Sequence, residues 1–397
     1  MRDHAELLLD GFDRVETRAE FLERIAEGRP LVVKLGLDPT SPDLHLGHAV
    51  VLRKMQQFVE CGHDVTLLIG DFTARIGDPS GRNEMRPPLT PEQIEANMRT
   101  YTEQAGMLLD LARVKLRYNS EWLAGLSLAD LLRLLSRVTV AQMLERNDFH
   151  DRYAARTPIS LHEFLYPVAQ AYDSVALAAD VELGGNDQLF NLLMGRHYQS
   201  HENRRPQVCM TLPLLEGLDG VKKMSKSTGN YVGLTEPAHE QFGKLMRIPD
   251  ELIPRYARLA AFRPQADCEA LGAALRGTRA HPMDEKKRLA EEIVARYHGA
   301  DAARAARERF ERTVQRKELP AEALPELRLE GGRRVADVIL AAGFAESKRA
   351  AERLISGSGV RVDGILVTDP KAAWSASRAA VLSVGSRKFV RVVPNER

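Results

Sequence analysis

The hydrophobic period switches from strand to helix between Leu31 and Gly62, and that switch restricts the fold more than any other stretch. Leu31-Val-Val33 is a short apolar, β-branched run that reads as a buried strand. Ala49 to Cys61 then repeats its apolar residues at helical spacing, and Gly62 can stop the helix. Gly36 to His48 is therefore a strand-to-helix connection, with Gly47 in the first helical turn. The unit recurs along the chain. Val65–Ile69 runs into a loop from Gly70 to Gly81, and Val114–Tyr118 precedes helical patterns from Leu128 to about Glu145. Val181–Gly185 leaves a Gly-rich loop, and Val208–Leu215 reads as the last strand. Thr90 caps a long helix with Pro91 at its first position. Ser160-Leu-His-Glu163 is a capping box before a helix that reaches about Ala179. Strands alternating with helices predict an α/β domain with a mostly parallel, doubly wound sheet.

In such a sheet ligands sit at the carboxyl ends of the strands, which is where the Gly36–His48 connection lies. A helix start offers unpaired backbone N–H groups and a partial positive charge, both suited to phosphate. His45 and His48 are three residues apart and can face the same phosphate, while Gly47 lets a nucleotide approach the backbone. Metal ligation is disfavoured, because no third ligand follows nearby.

The length of 397 residues allows two or three domains, and 44% hydrophobic with 28% charged residues is the composition of a globular protein. No run of 18 apolar residues predicts a membrane span. The first residues, Met1-Arg-Asp-His-Ala-Glu, carry acid and lack a signal-peptide core. Cys61, Cys209 and Cys268 are isolated from one another, which supports neither a disulfide framework nor a zinc site and fits a reducing cytoplasm. The net charge of +1 hides an asymmetry: from Gly332 onward there are 12 Lys/Arg against 6 Asp/Glu. A basic end on a mildly acidic body points to a partner with phosphates.

Other loops carry candidate chemistry. Asp78, in Gly77-Asp-Pro-Ser-Gly81, could hold a ligand ammonium group, although Asp-Pro-Ser-Gly alone is ordinary turn chemistry. Tyr166, Gln170 and Asp173 occupy one face of a largely apolar helix, so a hydroxyl, an amide and a carboxylate fall in a buried row that needs partners. Gly184-Gly-Asn-Asp-Gln188 lies between a strand and a helix, as a nucleotide-binding loop would. Lys222-Lys-Met-Ser-Lys-Ser-Thr-Gly229 is a cationic loop that could close on a triphosphate and stabilise a pyrophosphate leaving group. Beyond Thr235, Ala/Glu/Arg-rich helical segments dominate, notably Asp284–Tyr297 and Asp301–Lys317, and Pro320 and Pro325 punctuate a linker. The end of the chain reads helix (Arg333–Ala342), helix (Ser347–Ser356) and hairpin (Gly359–Val367), with Asp363-Gly364 as its turn. Lys348, Arg349, Arg353 and Arg361 gather basic groups around that hairpin.

These pieces resemble the tyrosyl-tRNA synthetases, a class I family. His45-Leu-Gly-His48 looks like the HIGH signature, and Lys223-Met-Ser-Lys-Ser227 matches KMSKS letter for letter. The resemblance covers essentially the whole chain. It implies a Rossmann-like catalytic domain at 1–228, an all-α anticodon-binding domain at 229–320, a linker at 321–331 and a small α+β S4-like RNA-binding domain at 332–397. It also implies a cytoplasmic homodimer acting on ATP, L-tyrosine and tRNA(Tyr), with Mg2+ accompanying ATP and no dedicated protein metal site. By motif, Asp78, Tyr166 and Gln170 would hold the substrate ammonium, Asp173 the phenol hydroxyl, and Gln188 would lie near the carboxylate. Asp38 and Asp187 would lie near the ribose, and Thr40, His45, Lys223 and Lys226 on the phosphates, with His48 beside them. Gly36, Gly47, Gly185, Met224 and Ser227 would complete the ATP site, with Arg82 and Arg86 flanking the pyrophosphate. Lys348, Arg349, Arg353 and Arg361 would meet RNA phosphates. Asp173 would be a buried, ionised carboxylate that accepts a charge-assisted hydrogen bond from the phenol. Many members carry a Tyr immediately before the Leu35 position as a second phenol contact; this chain has Lys34, which is left out of the tyrosine site.

Two rivals follow from the same residues. A tryptophanyl-tRNA synthetase shares the fold, but the S4-like tail and the Tyr…Gln…Asp row favour tyrosine. An inactive RNA-binding protein on the same scaffold would need neither His-Leu-Gly-His nor Lys-Met-Ser-Lys-Ser.

Overall fold

Lys34, a charged residue, sits inside a strand. The strand β2 runs from Val32 to Leu37 rather than stopping at Val33, so two residues expected in the following connection, Gly36 and Leu37, belong to the sheet. An apolar-run criterion ends at Lys34, although that side chain is 1% exposed. The structure, a computed structural model, describes residues 2–80, 89–315, 324–329, 333–374, 378–385 and 388–394. It divides into two units, one ending at Arg307 and one beginning at Glu308. No described helix is long and apolar enough to cross a membrane.

The first unit is built on six strands: β1 (Arg14–Glu16), β2, β3 (Asp64–Ile69), β4 (Val114–Tyr118), β5 (Val181–Gly185) and β6 (Val208–Leu212). Their order is β1-β6-β5-β2-β3-β4, with β1 antiparallel to β6 and every other pair parallel. Strands β2 to β4 therefore step one way across the sheet and β5 to β6 the other. The order reverses between β2 and β5, where a doubly wound sheet opens a crevice. The edge strand β1 was not expected; three partly exposed residues carry no periodic signal.

The helix Leu46–Glu60 buries Leu46, Leu52, Met55 and Phe58, and Gly62 follows its cap at φ +83°. The Ser160 box is formed: Glu163 accepts from Ser160 N at 2.8 Å and pairs with the buried Arg152. From there the helix Leu165–Ala176 buries Val168, Ala171 and Val175 against Met194 and Tyr198 of the helix Leu189–His201. The helices Ala238–Leu245, Ile253–Leu259, Gln265–Arg276, Pro282–His298 and Ala300–Phe310 follow. All but the last few residues of this series belong to the same unit as the sheet, and Tyr256 O–H donates to Glu216 O at 2.7 Å.

Among its described residues the second unit has five strands, β7 (Glu326–Leu329), β8 (Val360–Val362), β9 (Ile365–Val367), β10 (Ala380–Val384) and β11 (Lys388–Pro394), in the order β7-β11-β10-β8-β9. Its helices are Val335–Ala341 and Lys348–Ser356. The hairpin turn is as expected, with Asp363 at φ 47° and Gly364 at φ 81°, the left-handed pair a two-residue turn needs. Within the expected linker, Glu326–Leu329 is a strand paired in parallel with β11. That part of the segment belongs to the sheet. Strands β10 and β11 were also missed, although Ala380, Leu382 and Val384 alternate buried with half-buried neighbours.

Candidate active site

A cleft of about 590 Å³ opens at the carboxyl ends of β2 and β5, the point where the strand order reverses. Its floor includes Gly36 and Asp38 from one strand end and Gly184 and Gly185 from the other. Thr40, His45, Gly47, His48, Asp78 and Tyr166 line it, and so do Gln170, Asp173, Asp187 and Gln188. Lys223, Met224, Lys226 and Ser227 cover it from the Lys-Met-Ser-Lys-Ser loop. Arg82 and Arg86 lie outside the described residues. Lys34 does not line the cleft; it pairs with Glu182 at 2.9 Å behind it.

At one end of the cleft Asp173 is buried at the bottom of the helix row. Trp122 Nε1 donates to Asp173 Oδ1 at 2.8 Å and Asn119 Nδ2 to Oδ2 at 3.3 Å. Burial pushes its carboxyl up to about 7, against the opposing pull of Lys34, Trp122 and Asn119. Burial thus opposes the ionised state that the sequence led us to expect of Asp173. Tyr166 O–H donates to Asp38 Oδ2 at 3.0 Å, and Thr73 donates to the other Asp38 oxygen at 2.7 Å. Gln170 Nε2 donates to Glu182 Oε1 at 3.1 Å, which leaves its Oε1 buried without a partner among the described residues.

Asp78 is held in place by Ser80, Gln188 and Arg146, of which the sequence reading singled out only Gln188. Ser80 donates to its Oδ1 from both N (2.8 Å) and Oγ (2.6 Å), and Gln188 Nε2 donates to Oδ2 at 2.9 Å. The buried Arg146 stands 3.4 Å from Oδ1 and also reaches Asn191 Oδ1 and Ser80 Oγ. Burial alone would raise the Asp78 carboxyl, but Arg146, Ser80 and Gln188 outweigh it and keep it below the usual carboxylate range. Asp78 is an anion at neutral pH.

The other end of the cleft is cationic and donor-rich. The helix start differs from expectation, because its first N–H groups are taken: Leu46 N donates to Val232 O, and Gly47 N donates to His45 Nδ1 at 3.1 Å. His45 N donates in turn to His48 Nδ1 at 3.2 Å. Burial first depresses both imidazoles, joined at His45 by the neighbouring His48 and at both by Lys226 and Lys223, which leaves His45 well below its usual range and His48 at about 4. Both rings are neutral, and since each Nδ1 accepts, each proton sits on Nε2. At this helix start the Leu46 and Gly47 N–H groups are thus already engaged, and the ring Nε2–H groups are the side-chain donors of the turn. Gly47 is needed at this turn, since a Cβ there would stand 2.9 Å from His45 Cε1. Gly185 likewise has no room for a Cβ, which would meet Asp187 Oδ1 at 2.7 Å.

Both lysines of the covering loop reach across the cleft. Lys223 Nζ pairs with Asp187 at 2.6 Å, and Lys226 Nζ donates to Ser41 Oγ at 2.8 Å and to Asp43 O. Burial, opposed by Asp43, lowers Lys226 to about 8. The loop base is fastened by buried Asn230, which accepts from Ser225 N at 2.8 Å and donates to Asp219 at 2.9 Å. Met224 N donates to Leu215 O at 2.7 Å, and the Ser225 and Ser227 hydroxyls lie 2.9 Å apart.

In the second unit Lys348, Arg349, Arg353 and Arg361 are all exposed. Lys348 pairs with Asp337 at 2.8 Å, and Arg361 donates to Gly364 O at 3.0 Å across its own turn.

A profile of class I tRNA synthetases (W and Y) matches residues 26–315, and an S4 domain profile matches residues 333–372. The tyrosine–tRNA ligase of Shewanella oneidensis is 49% identical over 384 residues, 96% of each chain. That of Thermotoga maritima is 50% identical over 377 residues, 95% of this chain and 94% of the relative. The chain belongs to the tyrosine–tRNA ligase family. In fold it is similar to the tyrosyl-tRNA synthetase of Aeropyrum pernix, with TM-score 0.64 at 21% identity over 77% of this chain and 98% of that one. The family match extends over both units, as the two profiles do.

Asp173 carries a stability cost that can be measured in this member of the family. Its folded value of about 7 lies above the unfolded one, so stability contributed by the protonated form is lost as pH rises from about 4 through 7. Relative to wild type, Asp173→Asn should therefore gain unfolding free energy between pH 4.5 and pH 8, by about 2–4 kcal/mol. Urea melts across that range check it. Parallel pH profiles for the two proteins would show that Asp173 does not titrate in the folded state.

Proposed function

We propose that the cleft activates tyrosine with ATP and that the tyrosyl group then passes to the terminal ribose of tRNA(Tyr). The observation that carries this reading is the polarity of one cavity: an acceptor-rich end at Asp78, Gln170 and Asp173, and a donor-rich end at His45 and His48 whose positive charge comes from Lys223 and Lys226. An amino acid with a phenol would lie at the first end, its ammonium group between Asp78, Tyr166 and Gln170 Oε1 and its hydroxyl on Asp173. Its carboxylate would then point past Gln188 toward the phosphates. There a carboxylate oxygen attacks the α-phosphorus, the bond to the bridging oxygen breaks, and pyrophosphate leaves. No side chain is covalently modified. The protein's part is alignment and charge: neutral Nε2–H donors from His45 and His48, Thr40, and two lysines that exchange Asp187 and Ser41 for phosphate oxygens. Asp38 and Asp187 would stand by the ribose, with Gly36, Gly47, Gly185, Met224 and Ser227 shaping the nucleotide side, and Arg82 and Arg86 would flank the pyrophosphate.

Magnesium would arrive on the ATP phosphates. Among the described residues no group of three His, Cys, Asp or Glu side chains is placed to hold a metal ion, and no step is assigned to one. The helical segment 229–320 would meet the anticodon arm, and the tail from 332 would meet RNA phosphates. We also read the protein as a cytoplasmic homodimer. Leu128, Leu132, Val140, Tyr153 and Leu161 are exposed apolar side chains within one stretch of the first unit, as a subunit contact would require.

Tyrosine-dependent ATP–pyrophosphate exchange, run with each amino acid, tests the reading and separates it from a tryptophan enzyme or an inactive RNA binder. His45→Ala and Lys226→Ala should each slow adenylate formation by about a hundredfold, because both act on charge that develops in the transition state. Tyrosine dissociation constants should stay within about twofold of wild type. Constants that rise in step with the rate loss would remove both residues from the phosphate site.

The tail predicts a separate phenotype. Replacing Lys348, Arg349, Arg353 and Arg361 with Ala together should leave pyrophosphate exchange unchanged and lower kcat/KM for tRNA. The salt dependence of tRNA charging should become shallower, because fewer counterions are released on binding. An unchanged salt slope would show that this face does not meet RNA.

A further inference from the structure

Behind the cleft lies a buried charged pair that the proposed chemistry does not use. Lys34 of β2 and Glu182 of β5 are register partners on adjacent parallel strands, and both side chains are 1% exposed. Lys34 Nζ stands 2.9 Å from Glu182 Oε1 and 3.4 Å from the backbone carbonyl of Gln170. Glu182 Oε1 also accepts Gln170 Nε2 at 3.1 Å, while Oε2 accepts Ser174 Oγ at 3.1 Å and Gln207 Nε2. A buried ion pair is a poor way to stabilise a sheet, since two apolar side chains of similar size would do so at less desolvation cost. Besides the pull of Lys34 on Asp173, the pair acts on the Gln170 amide, which is bonded to Glu182 and also faces the cleft.

An ionised carboxylate only accepts hydrogen bonds. Glu182 therefore selects the NH2 end of the Gln170 amide and turns Oε1 toward the cleft, where it has no partner among the described residues. Lys34 Nζ, 2.9 Å from the same carboxylate oxygen, completes the arrangement by holding Glu182 Oε1 against that amide. We propose that Lys34 is a positioning residue for amino-acid binding: through Glu182 it fixes the polarity of the Gln170 amide, so that the cleft offers an acceptor to the substrate ammonium group. The inference rests on the reading that Gln170 meets that group.

Tyrosine-dependent pyrophosphate exchange tests it. Lys34→Met should raise KM for tyrosine at least about tenfold, the worth of a hydrogen bond to a charged group, and leave KM for ATP within about twofold. Adding Gln170→Glu to Lys34→Met should recover most of the loss, because a carboxylate presents an acceptor oxygen to the cleft whichever way it is turned. A purely structural role for Lys34 would move both KM values and kcat together and would leave the double variant no better than the single one; that result overturns the proposal. If Lys34→Met does not fold, Lys34→Met/Glu182→Met removes both charges at once and should show the same selective loss, whereas a wild-type KM for tyrosine in that protein overturns the proposal. Gln170→Ala separates the two layers of the argument. If it leaves KM for tyrosine unchanged, the binding role of Gln170 fails and the proposal with it. If it raises that KM while Lys34→Met does not, only the role of Lys34 fails.

Discussion

Because β2 and β5 are hydrogen-bonded neighbours whose following connections cross the sheet in opposite directions, no crossover can cover the gap between their carboxyl ends. The rest of the site depends on that gap. The β2 end delivers Gly36, Asp38 and the turn to His45, and the β5 end delivers Gly185, Asp187 and Gln188. The neighbouring strand ends after β3 and β4 bring Asp78 and Asn119 to the same cleft. The covering loop then closes the open side by pairing one lysine with each bank, Lys223 with Asp187 and Lys226 with the Ser41–Asp43 turn.

What distinguishes the two ends of the cavity is how burial acts on charge. Around His45 and His48 burial removes positive charge from both rings, which leaves the cationic character of that end to the lysines. Around Asp78 and Asp173 burial acts on carboxylates, and the outcome depends on partners. Asp78 has Arg146, Ser80 and Gln188 and stays ionised, whereas Asp173, whose donors among the described residues are an indole and an amide, is pushed up to about 7. A phenol donating to Asp173 would favour the charged form and draw it fully into the anionic state.

The parallel strands and the cleft-lining motifs were legible in the sequence because both are local. A strand that runs into a Gly-rich loop announces its own carboxyl end, and His45 to His48, Gly184 to Gln188 and Lys223 to Ser227 are each contiguous. What was missed is non-local or unpatterned. Asn119 and Trp122 reach Asp173 over about fifty residues of chain, and Arg146 reaches Asp78 over 68. Nothing in their own neighbourhoods marks them. Lys34 misled in the opposite sense, ending an apolar run that the strand continues, because its partner Glu182 is visible only once β2 and β5 are side by side. In the tail, prolines suggested a linker where β7 pairs with β11, a contact whose partner comes more than sixty residues later.

The central claim is that this cavity reads a phenol by means of Asp173. Phenylalanine fills the same apolar volume but offers no hydrogen, so it leaves the buried carboxyl without its partner, and above pH 7 it leaves a buried charge. The direct measurement is kcat/KM for tyrosine and for phenylalanine in pyrophosphate exchange at pH 8, for wild type and Asp173→Ala. The account predicts that the variant loses activity toward tyrosine while the tyrosine-to-phenylalanine ratio collapses by about tenfold or more. A variant that keeps the wild-type ratio would contradict it and would place phenol recognition elsewhere in the cleft.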